Sequence, residues 1–187
     1  MTTTAFDSMH DAAPSPLFPR DRPLPPTLTV RAARDAYLAE NGFTTDEYTA
    51  ETFSLLILGG RFKVTLPNPP PRRWAIPLHD LHHVATGYGV DLTGEAEIGL
   101  WELMGGCETW VVYFLNVSAA MLGVVLAPRR MWKAYEDART ARALYRQGMT
   151  LDELLEMPLG DLRERLGIPR EGLAKGERAV VAKPRVA

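Results

Sequence analysis

The stretch Pro77-Leu78-His79-Asp80-Leu81-His82-His83-Val84-Ala85-Thr86-Gly87-Tyr88 decides how the chain is read. Proline suits the first position of a helix, where its missing N–H costs nothing, and glycine suits the residue after one. The stretch therefore predicts a helix opened at Pro77 and closed by Gly87 and Gly89. It carries three of the chain's four histidines. Each helical residue turns by about 100°, so His83 falls about 40° and Asp80 about 100° from His79, on one arc. His82 falls about 60° to the other side and is assigned to packing or to support of the ligands.

A histidine pair at i, i+4 is by itself ordinary surface polarity or core hydrogen bonding. An adjacent aspartate and a spaced glutamate change that reading. Glu95 follows His83 after an eleven-residue gap holding Gly87, Gly89 and Gly94. That gap is long enough for the chain to return antiparallel from the first turn of a following helix. His79, Asp80, His83 and Glu95 are thus candidate ligands for a divalent metal. Two imidazoles and two carboxylates suit Zn²⁺, Fe²⁺, Mn²⁺ or, with more water, Mg²⁺, and select none of them uniquely. The zincin pattern differs, because there a glutamate follows the first histidine and acts as general base.

On both sides of the stretch the predicted elements are helices. Val30 to Glu40 has a helical apolar period ended by Asn41-Gly42. Thr44 and Glu47 have the spacing of a capping box, which predicts a helix over Tyr48 to Leu58 stopped by Gly59-Gly60. Arg61 to Leu66 alternates weakly, and the prolines at 67, 69, 70 and 71 make it read as a connector. Thr93 is the expected cap of a helix from Gly94 to Met104. Past Pro128, Arg129 to Gln147 reads as one long amphipathic helix, followed by short helices at Leu151 to Met157 and Asp161 to Leu166.

The expected architecture is all-α, a single-domain multi-helix bundle over residues 27–169. Residues 1–26 hold six of the 15 prolines and are expected to be a disordered arm, and residues 170–187 a mobile tail. A length of 187 residues fits one domain, and 46% hydrophobic with 24% charged residues is an ordinary globular composition. With 21 Lys and Arg against 23 Asp and Glu, the net charge of −2 gives no electrostatic case for a nucleic-acid binder. One cysteine, Cys107, excludes an intrachain disulfide and a Cys-x-x-Cys metal or redox motif. The first 26 residues lack the apolar run of a secretory signal, and Asp7, Asp11 and Asp21 argue against a mitochondrial presequence, so the expected location is cytoplasmic.

Trp110 to Leu126 is seventeen residues without a charge, about 26 Å as a helix, against about 30 Å of bilayer hydrocarbon. With Asn116 and Ser118 in its middle it reads as a buried core helix.

His79-Asp80-x-x-His83 followed by eleven residues and Glu95 resembles the metal-site signature of the Coq four family of ubiquinone (coenzyme Q) biosynthesis proteins. The resemblance takes in Pro67-Asn68-Pro69, the stretch from Leu78 to Tyr88, Gly94-Glu95-Ala96-Glu97, Trp101-Glu102-Leu103 and Leu162-Arg163-Glu164-Arg165-Leu166-Gly167-Ile168, in the manner of a short bacterial member. It implies an all-helical fold, a divalent metal, usually zinc, on His79, Asp80, His83 and Glu95, and an apolar channel that accepts an isoprenoid tail. It also implies work on a prenylated benzoate or quinone head group, including oxidative loss of the ring carboxylate, or the holding together of other quinone-biosynthesis enzymes at a membrane.

The residues give such a site a plausible task, since a metal can ligate a ring oxygen or carboxylate and stabilise negative charge as CO₂ leaves. Two functions follow. One is a metal-dependent protein that modifies a prenylated hydroxybenzoate. The other is a non-catalytic isoprenoid-lipid carrier or complex organiser, peripheral at the inner face of the plasma membrane. A metal phosphohydrolase would need a further upstream histidine, and His10 lies in the expected arm. The apolar side chains of the helix at 110–126, with Leu81, Ile98 and Trp101, are candidate tail contacts that read first as core, and Arg139 and Arg142 are candidate head-group contacts that read first as a solvated helix face. A homodimer is compatible with an apolar helical surface.

Overall fold

The computed structural model describes residues 23–57 and 62–173. Seven α-helices and one β-hairpin lie among them: α1 Val30–Asn41, β1 Thr52–Ile57, β2 Phe62–Pro67, α2 Pro70–Thr86, α3 Leu92–Gly105, α4 Trp110–Leu126, α5 Pro128–Ala138, α6 Leu151–Glu156 and α7 Leu159–Arg165. The fold is mostly helical, as expected, with a two-stranded antiparallel sheet added.

That sheet corrects the helix expected over Tyr48 to Leu58. Thr44 does cap, its hydroxyl accepting from the Asp46 N–H, but what it caps is a single 3-10 turn at Thr45–Tyr48. The chain then extends and pairs Thr52 with Pro67 through Ile57 with Phe62, so the stretch read as a connector is the partner strand. Leu58 and the two glycines expected to stop the helix lie outside the described residues. Asn68 fixes the base of the hairpin: its backbone N–H donates to the Glu51 carbonyl and its side chain to the Ala50 carbonyl, while its side-chain oxygen accepts from Arg72.

Helix α2 starts a full two turns earlier than expected. Pro70 and Pro71 occupy its first positions, where neither ring interrupts a hydrogen bond, and Pro77 sits inside the helix instead of opening it. Its far end is as predicted. Gly87 takes the left-handed conformation, φ 75°, and its N–H closes on the His83 carbonyl. Asp91, not Thr93, caps α3 through the Gly94 N–H. Helix α5 ends at Ala138, so the long helix expected to Gln147 is instead a helix, a loop and a 3-10 turn at Leu144–Arg146. A capping box does form at Thr150 and Glu153, opening α6.

The core gathers Val30, Ala33, Leu81, Ile98, Trp101, Leu154, Leu159 and Leu162, each essentially without solvent contact. Leu81, Ile98 and Trp101 are thus core residues. Arg163 is buried among them and donates to the carbonyls of Ala85, Leu24 and Arg170, which ties α7 to the last turn of α2 and to both ends of the described chain. Order extends past the expected boundaries: the Pro26 carbonyl accepts from Gly160, and Leu173 is buried. The remainder of the expected arm and tail lies outside the described residues.

Helix α4 has the expected ends, but it is not a core helix. Val112, Asn116, Ala120 and Gly123 form one buried seam, while Trp110, Tyr113, Phe114, Leu115, Met121, Leu122, Val124, Val125 and Leu126 are exposed. Among the described residues no helix is long and apolar enough to cross a membrane.

Candidate metal centre

The site is built where the end of α2 faces the start of α3. The chain between them is tight. A side chain on Gly94 would place its Cβ only 2.0 Å from the Gly89 carbonyl oxygen, so glycine at 94 is what lets α3 begin against the returning loop. This brings Glu95, one residue on, over the last two turns of α2.

Three of the four expected ligands converge. A ligand atom from each of His79, His83 and Glu95 lies within 4.8 Å of the other two. The Nε2 atoms of His79 and His83 are 3.1 Å apart, and the Glu95 oxygens lie 3.4 Å from His79 Nε2 and 3.5 Å from His83 Nε2. His83 is buried, whereas the side chains of His79 and Glu95 retain 27% and 41% exposure, so the open side of the triangle faces solvent.

Hydrogen bonds fix which nitrogen of each ring points inward. His83 Nδ1 lies 3.1 Å from the Tyr88 carbonyl, which can only accept, so Nδ1 carries the hydrogen. Gly87 makes this contact possible by turning the chain so that Tyr88 folds back under the helix. His79 Nδ1 donates to Glu102 at 2.8 Å. Each neutral ring therefore presents an unprotonated Nε2 to the other. Two lone pairs at 3.1 Å would repel, so a positive centre joins the rings: a proton on His79 Nε2, donated to His83 Nε2, or a metal ion in that proton's place. Tetrahedral Zn²⁺ with Zn–N of about 2.0–2.1 Å separates its nitrogens by roughly 3.3 Å, close to the edges observed.

Asp80 is buried beside this triangle with its Oδ2 held by the Tyr48 hydroxyl at 2.7 Å. Burial raises its pKa, against the hydrogen bond from Tyr48 and the charges of His79 and His83. Tyr48 comes from the 3-10 turn that replaced the expected helix, so the fold correction bears directly on the site. Tyr37 of α1 stacks on His83 at 5.8 Å between ring centroids.

Behind the triangle lies Glu102, fully buried on α3. Its Oε1 accepts from His79 Nδ1 at 2.8 Å, His82 Nδ1 at 2.7 Å and the Tyr145 hydroxyl at 2.8 Å, and its Oε2 accepts from Asn116 at 2.7 Å. Burial alone would raise its pKa, but the His79 charge and the converging donors win and hold it well below the ordinary carboxylate range. His79 shows the reciprocal effect: burial pulls its pKa down, and the charges and hydrogen bonds of Glu102 and Glu95 lift it well above the usual value. Partial desolvation would raise the pKa of Glu95, but the hydrogen bonds and charges of His79 and His83 hold it well below the ordinary carboxylate range.

His82 has the supporting role expected of it. Its Nε2 accepts from the Leu144 N–H at 2.9 Å while Nδ1 donates to Glu102, so both ring nitrogens are used within the fold. Burial lowers its pKa, and it stays neutral. The Glu102 hub itself was not singled out as functional, although a signal existed: Glu102 follows Glu95 by seven residues, two helical turns, and so shares its face of α3. Of the candidate head-group arginines, Arg142 lines a surface hollow of about 690 Å³ with Gln147, Met157, Asp161 and Arg165, none of which belongs to the metal cluster.

The chain matches no protein-family model, no curated protein and no solved structure. The Coq four resemblance accordingly rests on the motif residues.

Proposed function

We propose that the chain is a divalent-metal protein of quinone biosynthesis, with Zn²⁺ held by His79, His83 and Glu95. The observation that supports the metal is the convergence of His79 Nε2, His83 Nε2 and a Glu95 oxygen, with the other nitrogen of each ring held by a hydrogen bond. Tyr48 donates to Asp80 Oδ2, and Asp80 stands outside the three residues whose ligand atoms converge.

When bound, the ion supplies Lewis-acid chemistry, drawing an oxygen of a phenol or ring carboxylate and stabilising the charge that develops there. The chain's own residues prepare the place. Glu102 and Tyr88 orient the imidazoles, the indole and phenol rings around His82 exclude water from the rear, and the exposed side between His79 and Glu95 is the entrance. The substrate class this reading names is a prenylated hydroxybenzoate or quinone head group, consistent with the motif resemblance, and the step it names is loss of the ring carboxylate as CO₂ with a proton taking its place on the ring carbon. The isoprenoid tail would need an apolar channel or surface beyond the ion.

The second reading is a non-catalytic isoprenoid-lipid protein that organises other quinone-biosynthesis enzymes. The apolar residues left open along α4 favour it, because they offer contact area without reacting groups. A direct test separates the two. Purified protein carrying zinc is incubated with a prenylated hydroxybenzoate, and ring products are followed by mass spectrometry. Loss of the carboxylate that stops in His83→Ala supports the enzyme; retention of unaltered lipid at one equivalent supports the organiser.

A further inference from the structure

Helix α4 carries no charged residue from Trp110 to Leu126. At about 100° per residue, its buried seam of Val112, Asn116, Ala120 and Gly123 covers roughly 80° of the helix circumference. The exposed apolar residues, from Tyr113 round through Trp110, Phe114 and Val125 to Leu126, sweep about 220°. Water is a poor solvent for that arc. Val125 and Trp110 are each 79% exposed and Met121 67%, so this is not the edge of a core but an open face.

We propose that this face of α4 beds into the surface of a lipid bilayer, with the helix lying in the plane of the interface. Three observations choose lipid over a second copy of the chain. First, a packed helical partner covers an apolar stripe of roughly 100°, whereas a fluid hydrocarbon phase wets an arc of any width, and about 220° is too wide for one flat partner. Second, exposed aromatic residues accompany the apolar run: Trp110 and Tyr113 at its start, and Trp132 and Tyr135, 64% and 40% exposed, on the following helix α5. Indole and phenol rings settle at the level of lipid head groups. Third, the first charge after the run is the exposed Arg129, and the side of α5 that carries Trp132 bears Arg129, the C-capping Arg139 and one anion, Glu136, a net positive rim for anionic head groups. The helix is too short and too firmly seamed to α3 to span, which leaves in-plane seating.

The buried seam joins this surface to the metal centre. Asn116 faces inward and donates to Glu102, the carboxylate that holds His79. The bilayer face and the ion are therefore on opposite sides of one hydrogen-bonded chain, Asn116 to Glu102 to His79. This deepens the proposed function by giving a tailed substrate a source, yet it stands apart from it in test: flotation can fail while the ion is retained, and the reverse.

The test is flotation of the full chain with vesicles of phosphatidylcholine, alone and mixed with phosphatidylglycerol, alongside Phe114→Glu/Val125→Glu and Arg129→Ala. Both glutamates fall on exposed positions, 63% at Phe114 and 79% at Val125, so the double variant should keep its circular dichroism spectrum and melting temperature. The expected result is that the wild type floats with both vesicle types, more with phosphatidylglycerol, and that its tryptophan emission shifts to the blue. The double variant should lose about tenfold or more of the bound fraction, and Arg129→Ala only the gain from the anionic lipid. A wild type that stays in the dense fraction with both vesicle types overturns the proposal. So does a double variant that floats as well as the wild type, or a dimer in solution that the double variant dissolves and vesicles do not compete with, which would assign the face to a second copy. If the double variant loses its spectrum, Met121→Glu alone decides on the same criteria.

Discussion

Glu102 Oε1 lies 2.8 Å from His79 Nδ1, and the same oxygen also accepts from His82 and Tyr145. One buried carboxylate thus orients an expected metal ligand and pins α2 to the Leu144 turn through its neighbour. The arrangement explains why His79 presents Nε2 to the triangle, and it ties the geometry of that ring to the buried core.

Removing that carboxylate leaves four donors without an acceptor in the interior. Glu102→Ala is expected to lower stability by about 3–5 kcal/mol in urea titration. Glu102→Gln keeps an acceptor oxygen but loses the charge and turns an amide toward Asn116. It should fold and bind zinc about 10–100-fold more weakly by competition with a chromophoric chelator.

His82 is a support and not a ligand, and substitution separates the two roles. His82→Phe fills the volume but leaves the Leu144 N–H unpaired, so it should cost about 1–3 kcal/mol in urea titration while the zinc content stays that of the wild type. Loss of the ion in a folded His82→Phe protein would place His82 in the ligand set.

The metal-free protein should have a stability maximum with two flanks. Glu102 has a depressed pKa, so its contribution is complete above the unfolded carboxylate value near 4.5 and declines as the pH falls toward its lower folded value. His79 has a raised pKa, so its charged pairing with Glu102 contributes fully below about 6.5 and is lost as the pH climbs through its higher folded value. Urea titration of chelator-treated protein across pH should show both declines. With zinc bound, the alkaline decline should vanish and the ion should instead be released on acidification, because protons compete for Nε2.

The loop between α2 and α3 admits no side chain at 94. Gly94→Ala forces the Gly89 carbonyl away and should displace Glu95, costing about 1–3 kcal/mol and weakening zinc affinity with no ligand removed. Gly89→Ala, where a Cβ meets nothing closer than 3.8 Å, is the matched control and should bind zinc normally.

What the sequence made legible was local chemistry. The αL glycine at 87, the left-handed end of α1 at Gly42 and the charge-free ends of α4 are all short-range signals, and each boundary matched. The His79, His83 and Glu95 spacing also placed three ligand atoms together, since helical rotation and one loop length suffice to predict that. The hairpin was not legible, because Thr52–Ile57 gains its hydrogen bonds from a strand whose prolines disguise it, and pairing is settled between segments. Nor was the exposure of α4: an apolar run looks the same whether protein or lipid faces it, and only the packing of α3 against one narrow seam distinguishes them. Tyr48 and Glu102 escaped for the same reason, being brought to the site by tertiary contacts 32 and 23 residues from their partners in sequence.

The proposed function requires a divalent ion among His79, His83 and Glu95. The most direct measurement is elemental analysis of the purified wild type beside His79→Ala, His83→Ala and Glu95→Ala, with the fold of each checked by circular dichroism. One equivalent of a divalent ion, zinc first, is expected in the wild type and is lost from all three variants. A folded wild type that neither carries an ion nor takes one up from added zinc, manganese or iron would contradict it.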